Sequence, residues 1–468
     1  MLAEREIVQR FLETNHQVHP DVVNYIREQD DPALIDSILS QIPSDTLVVS
    51  VSHIPGLRRE RDGTRFLADP ELEVIWGSAG TSGSVSGHED AAQYFRDRYN
   101  QLSSIIRNRI TAMPIEALAR SPHRYRDAEC TIIGIVMEVR ATAKGHRLVE
   151  IEDTTATINV LFNKSREAMF ADAESILPDE VIGVKGKLSG DGNLFFAEQL
   201  YRPDIPIKHA PFRSDRPGKA VFISDVHVGS DTFLEDEWHR FADWLQDANA
   251  AYLLIAGDLV DGIGIYPGQE HELVIRNIYE QYDVFGEMLA SLPSRLRIIA
   301  APGNHDVVRG AEPQPALPAE FASRFPNNCT LVENPCLLNL QGVRVLMYHG
   351  RSIDDMIGLI PGSSYDRPGE IMEQMLKRRH LAPSYGLRTP IAAAKQDHLV
   401  IDPIPEILHT GHVHICGITK YRGVLGINTG TWQSQTAFQK QMNVNPTPAR
   451  AIIVDLETLA PEVKDFNR

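Results

Sequence analysis

A chain of 468 residues, 43% hydrophobic and 23% charged, has room for two or three domains and the make-up of an ordinary globular protein. Its 46 Lys and Arg against 63 Asp and Glu leave a net charge of −17, which argues against a protein that grips DNA unaided over a broad electropositive surface. Nucleic acid held by a basic partner, or in a local basic groove, stays open. No uninterrupted apolar run nears the roughly 18 residues of a membrane span. The opening MLAEREIVQRFLETNHQ is acidic where a signal peptide is basic and then apolar, so a cytoplasmic protein without membrane contact is expected. Cys130, Cys329, Cys336 and Cys416 form no CxxC pair; they read as small buried hydrophobes rather than a zinc ribbon or a disulfide framework.

Residues 1–50 predict a small helical module. REIVQRFLETN, HPDVVNYIREQ and DPALIDSILSQI place apolar residues at three- and four-residue spacing. A docking module is the preferred role, and a satellite folded onto the main body is the alternative. Residues 51–110 read as flexible linker and helix. The pattern dissolves from about 55 to 87, GSAGTSGSVSG at 77–87 has linker composition, and helical periodicity returns at 88–108.

Residues 120–203 change character. ECTIIGIVMEVR, HRLVEIED, ATINVLFN, EVIGVKGKLS and NLFFAEQL are short β-rich runs, with the helical SREAMFADAESIL between the third and fourth. That is the order of a five-stranded OB barrel, and EDTTATINVLF resembles the nucleic-acid type of that fold. Lys144, Arg147 and Lys164 are candidates for a face along a single strand, with Phe162 as a stacking partner. The alternative is a barrel used for protein contact, with Phe162 in its core. A connector at 204–218, within a stretch carrying four prolines, is expected to be stiff and to mark a domain boundary.

From 219 to 468 strands and helices alternate. AVFIS, AYLLIA, LRIIAA, VRVLMY and PEILHT are buried-strand runs, and each precedes a polar cluster: SDVH, GDLVD, GNHD, HG and GHVH. Open α/β sheets place their chemistry at strand carboxyl ends. Carboxylate, amide and imidazole donors suit hard or borderline divalent metals, and a carboxylate between two such ions relieves their repulsion. His239, His271, His380, His398 and His409 fall in none of these clusters and are read as surface or packing residues.

The ordered set resembles the calcineurin-like metallophosphoesterases over about 219–456. The resemblance implies that Asp225, His227 and His414 bind one metal and that Asp258 bridges to a second, held by Asn304, His349 and His412. It places His305 at the scissile phosphate as general acid, and Asp261 and Asp306 behind the ligands, orienting imidazoles. The implied reaction is phosphate-ester hydrolysis, with two divalent ions supplying an activated water and charge neutralisation; Mn²⁺ is preferred, and Fe²⁺ or Zn²⁺ suits the same donors.

A helical module, an OB barrel and an intact site of this kind together resemble the B-subunit family of replicative DNA polymerases, in its archaeal family-D branch. ISDVHVGSDTF, RIIAAPGNHD and HTGHVHICG carry that likeness. It implies an α/β calcineurin-like phosphoesterase sandwich preceded by the barrel and the helical module. It also implies 3′–5′ proofreading exonuclease activity, a large catalytic polymerase subunit as partner, DNA 3′ ends as substrate, and the sliding clamp as a contact made through the complex. The C-terminus APEVKDFNR offers no clamp-binding motif of its own. Two other readings stand beside this one: an assembly subunit kept for its surface, and a free-standing phosphodiesterase of small molecules.

Overall fold

The structure is a computed structural model describing residues 4–14, 16–18, 22–23, 26–27, 33–39, 42, 48–49, 70–77 and 88–467, apart from 126, 127, 393 and 442. The chain divides into two units, Met1–Arg65 and Phe66–Arg468. In the first, helices α1 (Glu4–Glu13) and α2 (Ala33–Leu39) and the paired parallel strands β1 (Gln17–Val18) and β2 (Val48–Val49) bury Ile7, Phe11, Val23, Ile26, Ile35 and Ile38. Ile7 and Phe11 lie one helical turn apart, as the predicted amphipathic spacing requires. Of HPDVVNYIREQ only 22–23 and 26–27 are described, all of them helical.

The second unit begins with a departure from the sequence reading. Within the segment expected to be linker, LEVIWG forms strand β3 (Leu72–Gly77) and pairs with a strand more than 250 residues later. The Gly/Ser run after Gly77 lies outside the described residues. Helices α3 (His88–Arg107) and α4 (Ile115–Arg120) then lead into the barrel. Strands β4 (Cys130–Ala141), β5 (Arg147–Glu152), β6 (Thr157–Phe162), β7 (Val181–Leu188) and β8 (Leu194–Tyr201) close in the order β4-β5-β6-β8-β7, with α5 (Glu167–Glu174) between β6 and β7. This is the OB arrangement. Strict alternation in TINVLF sends Ile158, Val160 and Phe162 inward together, and Phe162 is fully buried.

The remainder is a two-sheet sandwich. One sheet contains β9 (Lys219–Ile223), β10 (Ala250–Ala256), β11 (Arg297–Ala301) and β12 (Cys329–Leu331), all parallel, with α6 (Glu235–Asp247) and α7 (Ile278–Ala290) on its outer face. The other is built on β13 (Cys336–Leu340) and β14 (Val343–Met347), followed by α8 (Ser352–Leu359) and α9 (Pro368–Arg378) on its outer face, then β15 (Ile407–Thr410), β16 (Gly417–Tyr421) and β17 (Val424–Asn428). The antiparallel pair β18 (Arg450–Asp455) and β19 (Ala460–Asp465) completes the first sheet beside β9, and β3 completes the second. Phe222, Leu254 and Ile299 of one sheet meet Leu338, Val345, Ile407 and Ile427 of the other. Every residue of β10 is buried, as expected of a central parallel strand covered on both faces. Among the described residues no helix is long and apolar enough to cross a membrane.

The barrel is joined to the sandwich by buried charge as well as by apolar contact. On α3, the fully buried Arg98 donates from Nε to Asp397 (2.7 Å) and from Nη1 to the Pro383 carbonyl (2.5 Å), while His380 faces the same carboxylate at 2.9 Å. Glu180, where the chain enters β7, accepts from Arg202 (2.5 Å) and from Arg378 of α9 (2.9 Å). The Pro-rich connector is seated rather than free: Ile205 is buried among the α8 and α9 side chains, and Ser214 N–H donates to the Leu456 carbonyl.

Candidate active site

The parallel strands β9, β10, β11, β14 and β15 stop at one rim of the sandwich, and the five polar clusters follow them there. Asp225, His227, Asp258, His412 and His414 all have left-handed backbones, with φ of 52°, 55°, 49°, 70° and 60°. Such φ values are uncommon outside glycine and cost free energy unless the surroundings over-determine them. Here cross-strand bonds do so: Asp225 N–H to the Gly257 carbonyl, His227 N–H to that of Asp258, and Gly411 N–H to that of His349. Gly257 (φ +88°) and Gly303 are needed for close approach, because a Cβ would strike the His349 ring at the first and the Asp258 carboxylate at the second.

Among the described residues three overlapping donor groups result, two of them outer and a third that shares His227 and Asp258 with these and adds His305. Asp225, His227 and His414 form one, with His227 Nε2 and His414 Nε2 3.2 Å apart and His414 Nε2 3.4 Å from Asp225 Oδ1. Asp258, His349 and His412 form the other, and His349 Nε2 also lies 3.0 Å from Asn304 Oδ1. Asp258 Oδ2 stands between them, 3.8 Å from His227 Nε2 and 3.3 Å from His349 Nε2. Asp225, Asp258 and His349 are almost wholly buried. Buried carboxylates and imidazoles crowded this way present the nitrogen and oxygen donor set that a pair of divalent cations requires, so these residues fit the implied metals.

The imidazoles are aimed from behind. His227 Nδ1 faces Asp261 Oδ1 at 3.1 Å, His349 Nδ1 donates to the Ala256 carbonyl at 2.9 Å, and His414 Nδ1 lies 2.7 Å from the Gln439 side-chain amide. His305 differs. Its backbone N–H donates to Asp258 Oδ1 (2.8 Å) and its Nδ1 to the Asp261 carbonyl (2.7 Å), which leaves Nε2 without a hydrogen bond among the described residues, while the ring falls with His227 and Asp258 in the third donor group.

Without cations, the charges lean on one another. Burial opposes the charge on His349, but Asp258 and Asp225 outweigh it and push its pKa up to about 10. Burial works against ionised Asp258 as well, and His349 and His305 nonetheless hold it well below the usual carboxylate range. Burial also depresses His305 and His414 below ordinary histidine. Burial, reinforced by Asp258, raises Asp306 to about 6.

Two expectations need correcting. Asp306 orients no imidazole: its carboxylate accepts from the Gly303 and Leu259 amides and the Tyr282 hydroxyl, so it ties the loops after β10 and β11 together. Phe162 faces the barrel core and offers no ring to a base; the exposed aromatic on the barrel wall is Phe196, in register with Leu161. Lys144 and Lys164 are exposed and Gly145 lies against the Lys164 side chain, whereas Arg147 is half-buried beside the Glu174 carbonyl. His380 and His409 are packing residues, buried against Asp397 and against Phe222 and Thr429, and His239 and His271 are exposed.

Several supporting residues escaped the sequence reading. Asp354 lies 3.2 Å from His412 Nε2, Asn334 accepts from His349 N–H, and Gln433 and Gln269 donate to the Asp261 carboxylate. Gln433 had a signal: NTGTWQ follows the buried strand β17 just as the other clusters follow theirs. Asp354 had none, because an acid in the first turn of a helix is an ordinary solvent-facing choice.

Comparison with known proteins gives a consistent family. The family model for the B subunit of DNA polymerase alpha/epsilon matches residues 220–414, and the one described as OB-fold nucleic acid binding domain matches 130–197. A DNA polymerase II small subunit from Halobacterium salinarum is 43% identical over 402 residues, covering 85% of this chain and 78% of the relative. One from Archaeoglobus fulgidus is 44% identical over 395 residues (82% and 78%), and one from Methanothermobacter thermautotrophicus is 39% identical over 472 residues (94% and 96%).

Proposed function

The chain belongs to the DNA polymerase II small-subunit family, and from that premise we propose that it is the 3′–5′ proofreading exonuclease subunit of a heteromeric replicative DNA polymerase. The observation that supports the reading is Asp258 standing between the two outer donor groups at the rim of the two-sheet sandwich. A member kept only for its surface has no need of five strained ligand backbones and a full set of imidazole supports. Asp225, His227 and His414 would hold one divalent ion, and Asn304, His349 and His412 the other, with Asp258 shared. Mn²⁺ is preferred, and Fe²⁺ or Zn²⁺ is compatible with the same donors. When bound, the pair supplies a water acidified near neutrality and charge to offset the phosphoryl oxygens.

The chain's own groups do the rest. Asp261 and the Ala256 carbonyl fix the His227 and His349 rings, so those ligands need no reorganisation. His305, held by the Asp261 carbonyl through Nδ1, gives the proton from Nε2 to the leaving 3′ oxygen. Burial lowers its pKa, so the doubly protonated ring that can give a proton from Nε2 is the minor form near neutral pH, though a strong acid when formed. The polymer is gripped by a large polymerase subunit, which fits a chain of net charge −17.

The test is release of mononucleotides by purified full-length protein in Mn²⁺ from single-stranded or mismatched 3′ ends. Asp258→Ala and Asn304→Ala should abolish it while circular dichroism stays native. Full activity in Asp258→Ala would overturn the assignment. A pull-down from native extract should bring down a large polymerase subunit.

A further inference from the structure

We propose that the loop at 262–275 is a nucleobase subsite, in which Tyr266, flanked by Ile263 and Ile265, stacks on the base of the 3′-terminal nucleotide; this rests on the exonuclease reading above. Ile263, Ile265 and Tyr266 are 45%, 40% and 38% exposed, an unusual run of large apolar groups on an open loop. The Tyr266 ring lies edge-on to His305, with centroids 6.5 Å apart. A base on that ring would therefore sit beside the group assigned to the leaving oxygen.

The loop is held rather than loose. Ile265 N–H donates to Gln269 Oε1 (2.9 Å), and Gln269 Nε2 donates to both the Asp261 carbonyl (2.8 Å) and its carboxylate (2.9 Å). Asp261 in turn aims His227, so the loop and the donor group share one support. The far end is pinned by Val274 N–H on the Gly229 carbonyl, and the Tyr266 hydroxyl donates to Glu272 at 2.7 Å.

Charge selects the occupant. Residues 262–275 contain Glu270 and Glu272, with His271 between them and Arg276 just beyond; no basic side chain flanks Ile263, Ile265 and Tyr266 themselves in the sequence, so this part of the loop suits an uncharged planar base better than a phosphate. Stacking on an aromatic ring tolerates any base, as removal of whatever nucleotide has been misplaced requires.

The experiment uses the full chain in Mn²⁺ with a single strand ending in 2-aminopurine through a phosphorothioate linkage. Wild type and Tyr266→Phe should quench the fluorescence of the terminal base, and Tyr266→Ala should not. On cleavable strands, Tyr266→Ala should raise KM about 10-fold for a normal 3′ end, within the range for loss of one base stack. An abasic 3′ end should be bound alike by wild type and variant. Unchanged quenching in Tyr266→Ala overturns the subsite. If that variant instead loses co-purification with a second protein, the loop is a protein-docking surface. Absence of any 3′-end cleavage by wild type defeats the exonuclease reading, while the quenching measurement still reports on the subsite.

Discussion

The barrel and the sandwich rim solve opposite problems with similar strands. From Cys130 to Tyr201 the barrel has one non-glycine residue with left-handed φ, Asp179, and its core is an apolar cluster, with the buried carboxylates Asp153 and Glu180 as the exceptions. The rim has five such residues among its donors and packs carboxylates and imidazoles where solvent is nearly excluded. Local rules are obeyed where the protein only needs to stand, and broken where groups must be held against their own preference. The rim tolerates this because it sits on strands buried on both faces, whose stability carries the strain.

That contrast can be broken at several points. The largest expected effect is at the shared carboxylate: Asp258→Ala should reduce exonuclease turnover by more than the roughly 100-fold typical of removing a group behind a ligand, measured on 3′-labelled single strands. Next is the junction between the two regions. Glu180→Ala strands Arg202 and Arg378 in a buried site and should destabilise the protein by about 3–5 kcal/mol in denaturant unfolding. Burial opposes the charge on Glu180 and Asp397, but Arg202 and Arg378 around the first, and His380 and Arg98 around the second, hold both pKa values below the carboxylate range. Their contribution is thus present above the ordinary carboxylate pKa of about 4 and is lost as pH falls through the lower folded values. Urea midpoints measured across acid pH should show that loss, and Glu180→Gln should flatten it.

Within the barrel, Phe162→Ala should cost about 3–5 kcal/mol as a core cavity, with no change in the affinity for single strands beyond what unfolding explains. Asp261→Asn should weaken metal binding about 10- to 100-fold by calorimetry, and it should also lower the unfolding midpoint of the metal-free protein slightly, since the Asn amide can accept from only one of the two donors, Gln269 and Gln433, and sets its own NH2 against the other. The smallest effect belongs to Lys144→Ala with Lys164→Ala. If these lysines meet phosphates, the slope of log affinity against log salt should fall by about 1 for each phosphate left without its lysine; an unchanged slope removes that face from the DNA path.

Much of this was legible from the chain alone, for a physical reason. Strand alternation, glycine at sharp turns and polar clusters after apolar runs are local, so β4 to β11, β14, β15 and the positions of the five clusters could be read directly. The burial of Phe162 was legible too, in phase with Ile158 and Val160, and following the alternation through would have kept it off the binding face. Tertiary structure alone decided the pairings across long stretches of chain. These include β3 against β13, Arg98 against Asp397, Asp354 behind His412, Gln439 behind His414, and Asp306 turned to backbone amides instead of an imidazole. No local pattern encodes such contacts. They exist because two sheets close over one core, bringing the ends of β9, β10, β11, β14 and β15 to one rim and distant segments of chain together at the edges.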